Sequence, residues 1–238
     1  MKLHTREWVG GERVALLVHG ITSDSRSWDR VGAALAERSY RAIAVDLRGH
    51  GLSDRCSTYA PSELADDLVE TISIPVDLAI GHSLGGWILA LAADRLRPAR
   101  AVYEDPAWAI PGYLHEAIAA EITSSLPADR EQASSGYPRC SHDDLDTMIS
   151  AQQLFDPSCL AWLLSGRGYD DSPPVARTPS LVMISDPPDL IDAAVGEELR
   201  RRGFDVAPVQ GAGHHIHRDA FESFMHCLDT WLRQRASL

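Results

Sequence analysis

Positive charge is scarce in this sequence of 238 residues. Lysine and arginine together number 22, against 34 aspartates and glutamates, which gives a net charge of −12. An acidic surface repels the phosphates of nucleic acids and the anionic surfaces of membranes. We therefore expect neither nucleic acid nor a membrane as a partner, and a small molecule is the expected ligand.

Cysteines and long apolar runs are scarce too. The four cysteines lie far apart and form no Cys-x-x-Cys pair, which argues against a disulfide framework or a structural zinc site. The amino terminus lacks the apolar region of a signal peptide, and no apolar run has the length that spans a bilayer. These absences predict a soluble cytoplasmic protein with reduced thiols and without a metal or cofactor. We expect it to act as a monomer or a homodimer.

Strand and helix signals alternate along most of the chain. This alternation is typical of an α/β fold with a mostly parallel sheet and helices on both faces. Continuous apolar runs, such as residues 14–18 and 181–184, indicate strands that are covered on both sides. Strands are predicted near residues 2–9, 13–18, 40–46, 77–82, 100–105, 180–185 and 204–209, and helices near 25–38, 61–72, 84–96, 189–202 and 219–235.

The alternation stops between residues 106 and 177. Helical signals at 112–126, 142–154 and 157–165 are separated there by proline, glycine and serine. This segment follows the carboxyl end of a strand, which is where open α/β sheets place elements that cover a ligand. We predict a core of residues 1–105 and 178–238 and a helical lid of residues 106–177.

A candidate nucleophile lies in Gly81-His82-Ser83-Leu84-Gly85, which has the pattern Gly-x-Ser-x-Gly. The pattern alone is weak, but a short apolar strand precedes it and an apolar helix follows it. The two glycines have a steric reason, because the serine of such a turn has strained backbone angles and the strand and helix approach closely. The sequence therefore predicts that Ser83 is a nucleophile.

A serine nucleophile needs a base. His214 is the candidate, because its loop follows a predicted strand and precedes the last helix. His215 and His217 lie in the same loop, and a metal site made of these histidines was the alternative. Adjacent histidines on one loop rarely converge on one ion without a further ligand, so the base is the favoured interpretation.

The base needs an orienting carboxylate, and the order of such a triad is serine, acid, histidine. Asp186 and Asp189 both follow the strand that ends near residue 185. Asp186 is favoured because it comes directly after the strand, whereas Asp189 could cap the next helix. Glu104 or Asp105 after the preceding strand is a third option, for which capping of the turn into the lid is the more ordinary role.

Two backbone amides are expected to bind the oxyanion of the tetrahedral intermediate. One is the amide of Leu84, directly after the nucleophile, and the other is the amide of Ile21, which follows His19 and Gly20 at the end of a central strand. A histidine beside a glycine at a strand end usually braces a turn, so His19 is assigned a structural role.

Four segments in this order, His19-Gly20, Asp46-Leu47-Arg48-Gly49-His50-Gly51, Gly81 to Gly86 and Gly213-His214, resemble the α/β-hydrolase fold superfamily. The resemblance implies a lidded serine esterase or lactonase. The acid loop Ser185-Asp186-Pro187-Pro188-Asp189 departs from the Gly-Asp-x-Asp that is common there. Glu104-Asp105-Pro106 resembles lidded members, including lactone hydrolases, that take the acid from this strand end, which keeps Glu104 as the runner-up.

The expected reaction is hydrolysis of an ester or lactone of a small, largely hydrophobic substrate. Gly20 and several large apolar side chains are candidates for the pocket, namely Trp28, Trp87, Trp108, Met148 and Trp162, with Leu154 and Phe155 also considered. Most of these residues would otherwise be ordinary core residues. The same triad also serves carbon–carbon bond hydrolases, thioesterases and cofactor-independent oxygenases or perhydrolases, and the same fold serves low-turnover receptors.

Overall fold

The computed structural model describes residues 1–110, 112–124, 126, 129–165 and 169–236. Within them the chain forms nine strands, which are numbered here in chain order: β1 (Thr5–Val9), β2 (Arg13–Val18), β3 (Tyr40–Val45), β4 (Leu78–His82), β5 (Ala101–Glu104), β6 (Ala109–Ile110), β7 (Tyr169–Asp170), β8 (Ser180–Asp186) and β9 (Asp205–Gln210).

Seven of these strands form one sheet in the order β1-β3-β2-β4-β5-β8-β9. Only the β1–β3 pair is antiparallel among the pairs of this sheet. The central strands are buried along most of their length, as their continuous apolar runs predict. The mostly parallel α/β sheet expected from the sequence is therefore confirmed.

Nine α-helices accompany the strands in the described part of the chain: α1 (Asp29–Glu37), α2 (Pro61–Thr71), α3 (Leu84–Leu96), α4 (Gly112–Ser124), α5 (Arg130–Gly136), α6 (His142–Leu154), α7 (Ala193–Arg201), α8 (Ile216–Asp219) and α9 (Phe221–Ala236). Two short 3-10 helices cover Ser25–Trp28 and Pro157–Ser165.

Alternate residues of β2 lie in two different cores, because successive side chains of a strand point to opposite faces. Leu16 packs in a cluster with residues of α2 and α3, such as Leu68 and Leu89. Leu17 packs in a second cluster with residues of α1 and α9. The sheet is thus covered by helices on both faces. None of the described helices combines the length and the apolar composition that crossing a membrane requires.

Several boundaries differ from the prediction for local reasons. The helix expected over 25–38 begins with a separate 3-10 turn, because the Asp24 carboxylate accepts the amide of Arg26. The helix expected from 189 begins at Ala193, where the Asp192 side chain caps it. The helix expected over 219–235 begins at Phe221, and a separate short helix, α8, precedes it. Residues 157–165 form a 3-10 helix rather than an α-helix.

Residues 106–177 contribute α4, α5, α6, the second 3-10 helix and the small β6–β7 pair. The α5 helix was missed because its sequence is rich in serine and glutamine, although Asp129 and Gln132 form a capping box at its start. The segment is fastened to the core, since the Tyr59 hydroxyl donates to Asp156 at 2.6 Å and the Asp156 amide donates to the Gly49 carbonyl at 2.8 Å. Its function as a lid remains our proposal.

Candidate active site

Ser83 lies at the turn between β4 and α3. Its φ of 51° and ψ of −117° are strained for a residue with a side chain. The amide of Ser83 donates to the Glu104 carbonyl at 2.9 Å, which ties the turn to the end of β5. A Cβ at Gly85 would lie 2.2 Å from the Val18 carbonyl oxygen, so only glycine allows α3 to approach β2 this closely. The turn therefore has the geometry of a nucleophile elbow.

His214 and Asp105 form a hydrogen-bonded pair at the same edge of the sheet. His214 Nδ1 lies 2.7 Å from Asp105 Oδ2, and the Asp105 side chain is fully buried. A carboxylate accepts a hydrogen bond from Nδ1–H, and in this tautomer the Nε2 of the neutral imidazole has a free lone pair. This is the arrangement of a general base that is oriented by an acid.

The pKa of His214 is raised above its ordinary value. Burial opposes this shift, and the hydrogen bond and charge of Asp105, followed by the charges of Asp189 and Glu104, outweigh it. The imidazolium that forms when His214 takes a proton is thus stabilised by nearby carboxylates.

His82 holds the loop that carries the base. Its Nε2 lies 3.0 Å from the backbone carbonyl oxygen of His214, and because a carbonyl only accepts, this nitrogen carries the proton. Burial, and then the charges of the neighbouring histidines, lower the pKa of His82 well below its ordinary value, so the ring stays neutral. The neutral ring of His82, the residue before Ser83, therefore holds the backbone of His214 in place.

Glu104, the runner-up for the acid, contacts a different histidine. Its carboxylate accepts the amide of His217 at 2.8 Å and lies 2.8 Å from His217 Nδ1, with both side chains buried. His217 in turn stacks on Trp28 with ring centroids 4.3 Å apart. Since His214 and His217 turn to different carboxylates, the loop histidines do not converge on one ion.

The structure corrects the choice of Asp186. β8 continues through Asp186, which pairs with Gln210, and the Asp186 backbone is bonded to Gly211 and Ala212. Asp186 is thus held as a strand residue, and the carboxylate on His214 is that of Asp105. Asp189 is closer to the pair, because its carboxylate, an Asp105 oxygen and a His214 nitrogen lie within 4.8 Å of one another. The segment Glu104-Asp105-Pro106 was the sequence signal for Asp105.

The loop after β2 lies against the nucleophile. A Cβ on Gly20 would lie 3.2 Å from the Ser83 Cβ, and Ile21 follows directly. Leu84 is the first residue of α3, so its amide has no carbonyl one turn earlier in the helix to bond. His19 is fully buried and accepts the Leu47 amide at 3.0 Å, and its Nδ1 lies 2.7 Å from the Gly20 carbonyl oxygen. These contacts brace the loop, as a structural histidine would.

The profile of the alpha/beta hydrolase family matches residues 15–225, which is most of the chain. The chain belongs to the alpha/beta hydrolase family. Among the curated relatives, the 2-(acetamidomethylene)succinate hydrolase of Mesorhizobium japonicum is 39% identical over 97 residues, which cover 39% of this chain and 34% of the relative. Esterase YbfF of Escherichia coli is 38% identical over 90 residues, with 34% of each chain covered. The match therefore spans about a third of the length of these relatives.

Solved structures of hydrolases share the fold over nearly the full chain. The structure of E-2-(acetamidomethylene)succinate hydrolase has a TM-score of 0.79 at 25% identity, covering 97% of this chain and 95% of that chain. The enol-lactonase from Burkholderia xenovorans has a TM-score of 0.74 at 21% identity, covering 97% and 96%. The family and its fold thus agree with the superfamily expected from the ordered motifs.

The aromatic residues that were expected to line the pocket of this hydrolase have mixed positions. Trp28 and Trp108 are almost fully buried, at 0% and 1% exposure. The indole N–H of Trp108 donates to the Gly86 carbonyl at 3.2 Å. Both side chains are therefore core residues that stiffen the elements around Ser83, which corrects their expected contact with substrate.

The other three pocket candidates belong to the insertion or to its contact with α3. Trp87 on α3 packs edge-on against Trp162 at 5.1 Å, and its indole N–H donates to Asp171 at 3.0 Å. Met148 is buried in a small cluster with Ala133 and Leu145. Trp87 and Trp162 thus join α3 to the segment that follows β5, whereas Met148 packs within that segment.

A cavity of about 770 Å³ lies between the second half of α3 and residues 171–178. Its lining includes Tyr103 and Phe204 but neither Ser83 nor His214. This cavity therefore lies apart from the candidate nucleophile and base.

A prediction follows for Gly20 of this hydrolase. A Cβ there would lie 2.7 Å from His82 Nδ1 as well as close to Ser83, so Gly20→Ala should displace both His82 and the loop that carries Ile21. We expect kcat/KM to fall by about 10²-fold, because displacements of about 1 Å have this effect on catalytic geometry. Gly196→Ala is the matched control, since its Cβ meets only a Val206 methyl at 3.6 Å in α7. Equal rates for the two variants, measured with one activated ester, would contradict the assigned role of this loop.

Proposed function

We propose that the protein is a serine hydrolase that cleaves a carboxylic ester or a lactone of a small, largely hydrophobic substrate through an acyl-enzyme. The observation that carries the proposal is the buried Asp105 carboxylate on Nδ1 of His214, at the same sheet edge as the strained turn of Ser83. A strained serine, an oriented base and nearby backbone amides together suit acyl transfer.

In the proposed first half-reaction, the Ser83 hydroxyl oxygen attacks the carbonyl carbon of the ester. His214 Nε2 takes the hydroxyl proton, and Asp105 stabilises the imidazolium that results. The amides of Ile21 and Leu84 donate to the oxyanion. The carbon–oxygen bond to the leaving group then breaks, and His214 returns the proton to the departing alcohol oxygen.

In the second half-reaction, water takes the place of the alcohol. His214 removes a proton from water, the hydroxide adds to the acyl carbon, and Ser83 leaves with the proton from His214. For a lactone the leaving alcohol stays attached to the acyl group, so the product is one hydroxy acid. Both half-reactions balance with the ester or lactone and water alone, so neither needs an oxidant or a cofactor.

The substrate class is supported by the names of similar proteins and by the surroundings of the site. The relatives include an esterase and a hydrolase of 2-(acetamidomethylene)succinate, and the enol-lactonase shares the fold. The half-exposed Trp162, which packs on Trp87, gives the inserted segment an apolar surface near α3. An apolar covering segment favours substrates with an apolar acyl or ring portion.

A panel of 4-nitrophenyl esters of increasing acyl length, matched thioesters and five- and six-membered lactones tests the substrate class. We expect one ester or lactone to reach a kcat/KM of about 10⁴ M⁻¹s⁻¹ or more, within the ordinary range of enzymes. The control is the same panel with Ser83→Ala, together with an oxygen electrode. Oxygen uptake without ester cleavage would contradict this function and indicate cofactor-independent oxygenation. Absence of turnover of every substrate by a folded protein would favour a binding protein.

A further inference from the structure

A second cavity, of about 320 Å³, lies at the start of α9. Three arginines contribute to its wall, and the rest of the wall consists of Ser141 and residues 219–223. The three arginines are Arg30, Arg139 and Arg218.

Arg218 is the most informative of these side chains. It is only 3% exposed, and its Nε is buried without a hydrogen-bond partner in the described part of the chain. Its one side-chain hydrogen bond among the described residues is a weak one from Nη2 to the Ser23 hydroxyl at 3.4 Å. Burial of an unpaired guanidinium is costly, because the charge loses its hydration. A partner with negative charge would remove that cost.

Arg48 provides a contrast within the same chain. It is also buried, at 8% exposure, but Asp67 receives two of its N–H groups, and the closest N···O distance is 2.5 Å. Among the described residues, Arg218 forms no ion pair with a carboxylate. The protein therefore supplies a carboxylate to one buried arginine and not to the other.

The wall also contains two acidic residues, but neither forms an ion pair with Arg218 in the described part of the chain. Asp219 is engaged elsewhere, since its Oδ2 accepts the Gly213 amide at 2.9 Å and its Oδ1 faces the Cys140 thiol at 3.7 Å. Glu222 is exposed to solvent. Arg30 lies 3.8 Å from Asp144 and stacks over the Phe221 ring at 4.0 Å, so its charge remains at the rim of the cavity.

The backbone adds donors to the same place. α9 has 16 residues and begins at Phe221, and the first helical amides have no carbonyl one turn earlier to bond. The Phe224 amide already donates to the Ala220 carbonyl at 2.9 Å, and the three residues before it, 221–223, line the cavity. Such a helix start attracts an anion through its N–H groups and its dipole.

We propose that this cavity is a binding site for a small anion, the carboxylate or phosphate group of a metabolite, held between Arg218 and the start of α9. Arg139 joins the site to the catalytic loop, because its Nη1 would lie 3.4 Å from a Cβ on Gly213, the residue before His214. The site is distinct from the catalytic centre, since its wall contains neither Ser83 nor His214.

Isothermal titration calorimetry with inorganic phosphate and with malonate tests the proposal, and sodium chloride at equal ionic strength is the blank. We expect saturable binding of at least one probe, weakened roughly 10-fold or more by Arg218→Met, since charged hydrogen bonds have about this effect on binding. Arg201→Met is the matched control, because Arg201 is exposed and pairs with Glu198 in α7. Identical binding by wild type and Arg218→Met, or an equal heat with chloride, would overturn the proposal.

Two exposed arginines keep the test valid if Arg218→Met does not fold. Arg30→Met and Arg139→Met alter solvent-exposed side chains, so both should fold and bind the probe several-fold more weakly. Glu222→Gln should bind it more tightly, since a negative charge leaves the rim. If none of these three variants changes the affinity, the anion does not bind here.

One further experiment distinguishes this site from the proposed catalytic centre. Covalent blocking of Ser83 with a small fluorophosphonate should leave the affinity for phosphate or malonate unchanged. Loss of binding after blocking would place the anion at Ser83 instead and would refute a separate site. Phosphate and malonate titrated side by side distinguish a phosphate from a carboxylate ligand.

Discussion

Replacement of Ser83 by alanine should reduce turnover of the best ester or lactone by about 10³-fold or more. In the proposed mechanism the hydroxyl oxygen forms the covalent bond to the acyl group, and neither the backbone amides nor His214 can substitute for it. The protein should remain folded, because the side chain is small and alanine retains the Cβ that meets the Gly20 loop. Steady-state kinetics beside a thermal unfolding curve measure both expectations.

Mass spectrometry after treatment with a fluorophosphonate gives an independent measurement. We expect a single adduct, located on Ser83 by peptide mapping, and none on Ser83→Ala. Ser180→Ala is the matched control, since Ser180 is equally buried in β8 and only donates to the Thr178 carbonyl. Labelling that persists in Ser83→Ala, or full activity of that variant, would remove Ser83 from the mechanism.

Asp105→Asn should have the second large effect, a loss of about 10⁴-fold in kcat, comparable to that of the equivalent change in a serine protease. An amide NH₂ cannot accept from Nδ1–H, so His214 would take the other tautomer and would lose the lone pair at Nε2. Asp186→Asn should change kcat much less, because the carboxylate that contacts His214 Nδ1 is that of Asp105. If Asp186→Asn causes the larger loss, the assignment of Asp105 is wrong.

The pH dependence of kcat/KM distinguishes orientation of the base from general damage. His214 acts in its neutral form, so activity rises as pH passes its raised pKa. Asp105→Asn removes the charge that supports the imidazolium, and the acidic limb should move to lower pH. Asp189→Asn should produce a smaller shift in the same direction, since Asp189 also raises the pKa of His214. Glu104→Gln should mainly lower stability through His217.

The sequence predicted the parallel sheet because apolar strands are recognisable from local information, and the predictions of Ser83 as nucleophile and His214 as base rest on local motifs as well. A Gly-x-Ser-x-Gly turn between an apolar strand and an apolar helix needs no knowledge of distant residues. The acid was different, since it depends on how two distant strands align. His82 of β4 pairs with Glu104 of β5, and this register brings the next residue, Asp105, beside Ser83. The segment Glu104-Asp105-Pro106 pointed to this strand end, but the alignment that selects Asp105 over Glu104 cannot be read from it.

The solvent exposure of the tryptophans could not be predicted from the sequence either. Trp28 and Trp108 follow strand ends near the nucleophile, as a pocket residue would, but both are buried in the core. The residue type alone does not show whether a large apolar side chain lines a pocket or fills a core. Their role therefore depends on the packing of neighbours such as His217 and Phe204, which are distant in sequence.

The position of Asp105 has a consequence for how such a protein changes during evolution. The acid is the last residue before the segment 106–177, and the strand that follows this segment pairs directly with β5, Glu104 lying opposite Met183. Both ends of the segment are thus fixed to neighbouring strands of the sheet. Insertions, deletions and new sequences can accumulate between them while the spacing of Ser83, Asp105 and His214 is preserved. If the segment is the proposed lid, substrate preference could therefore diversify while the proposed triad stays in place.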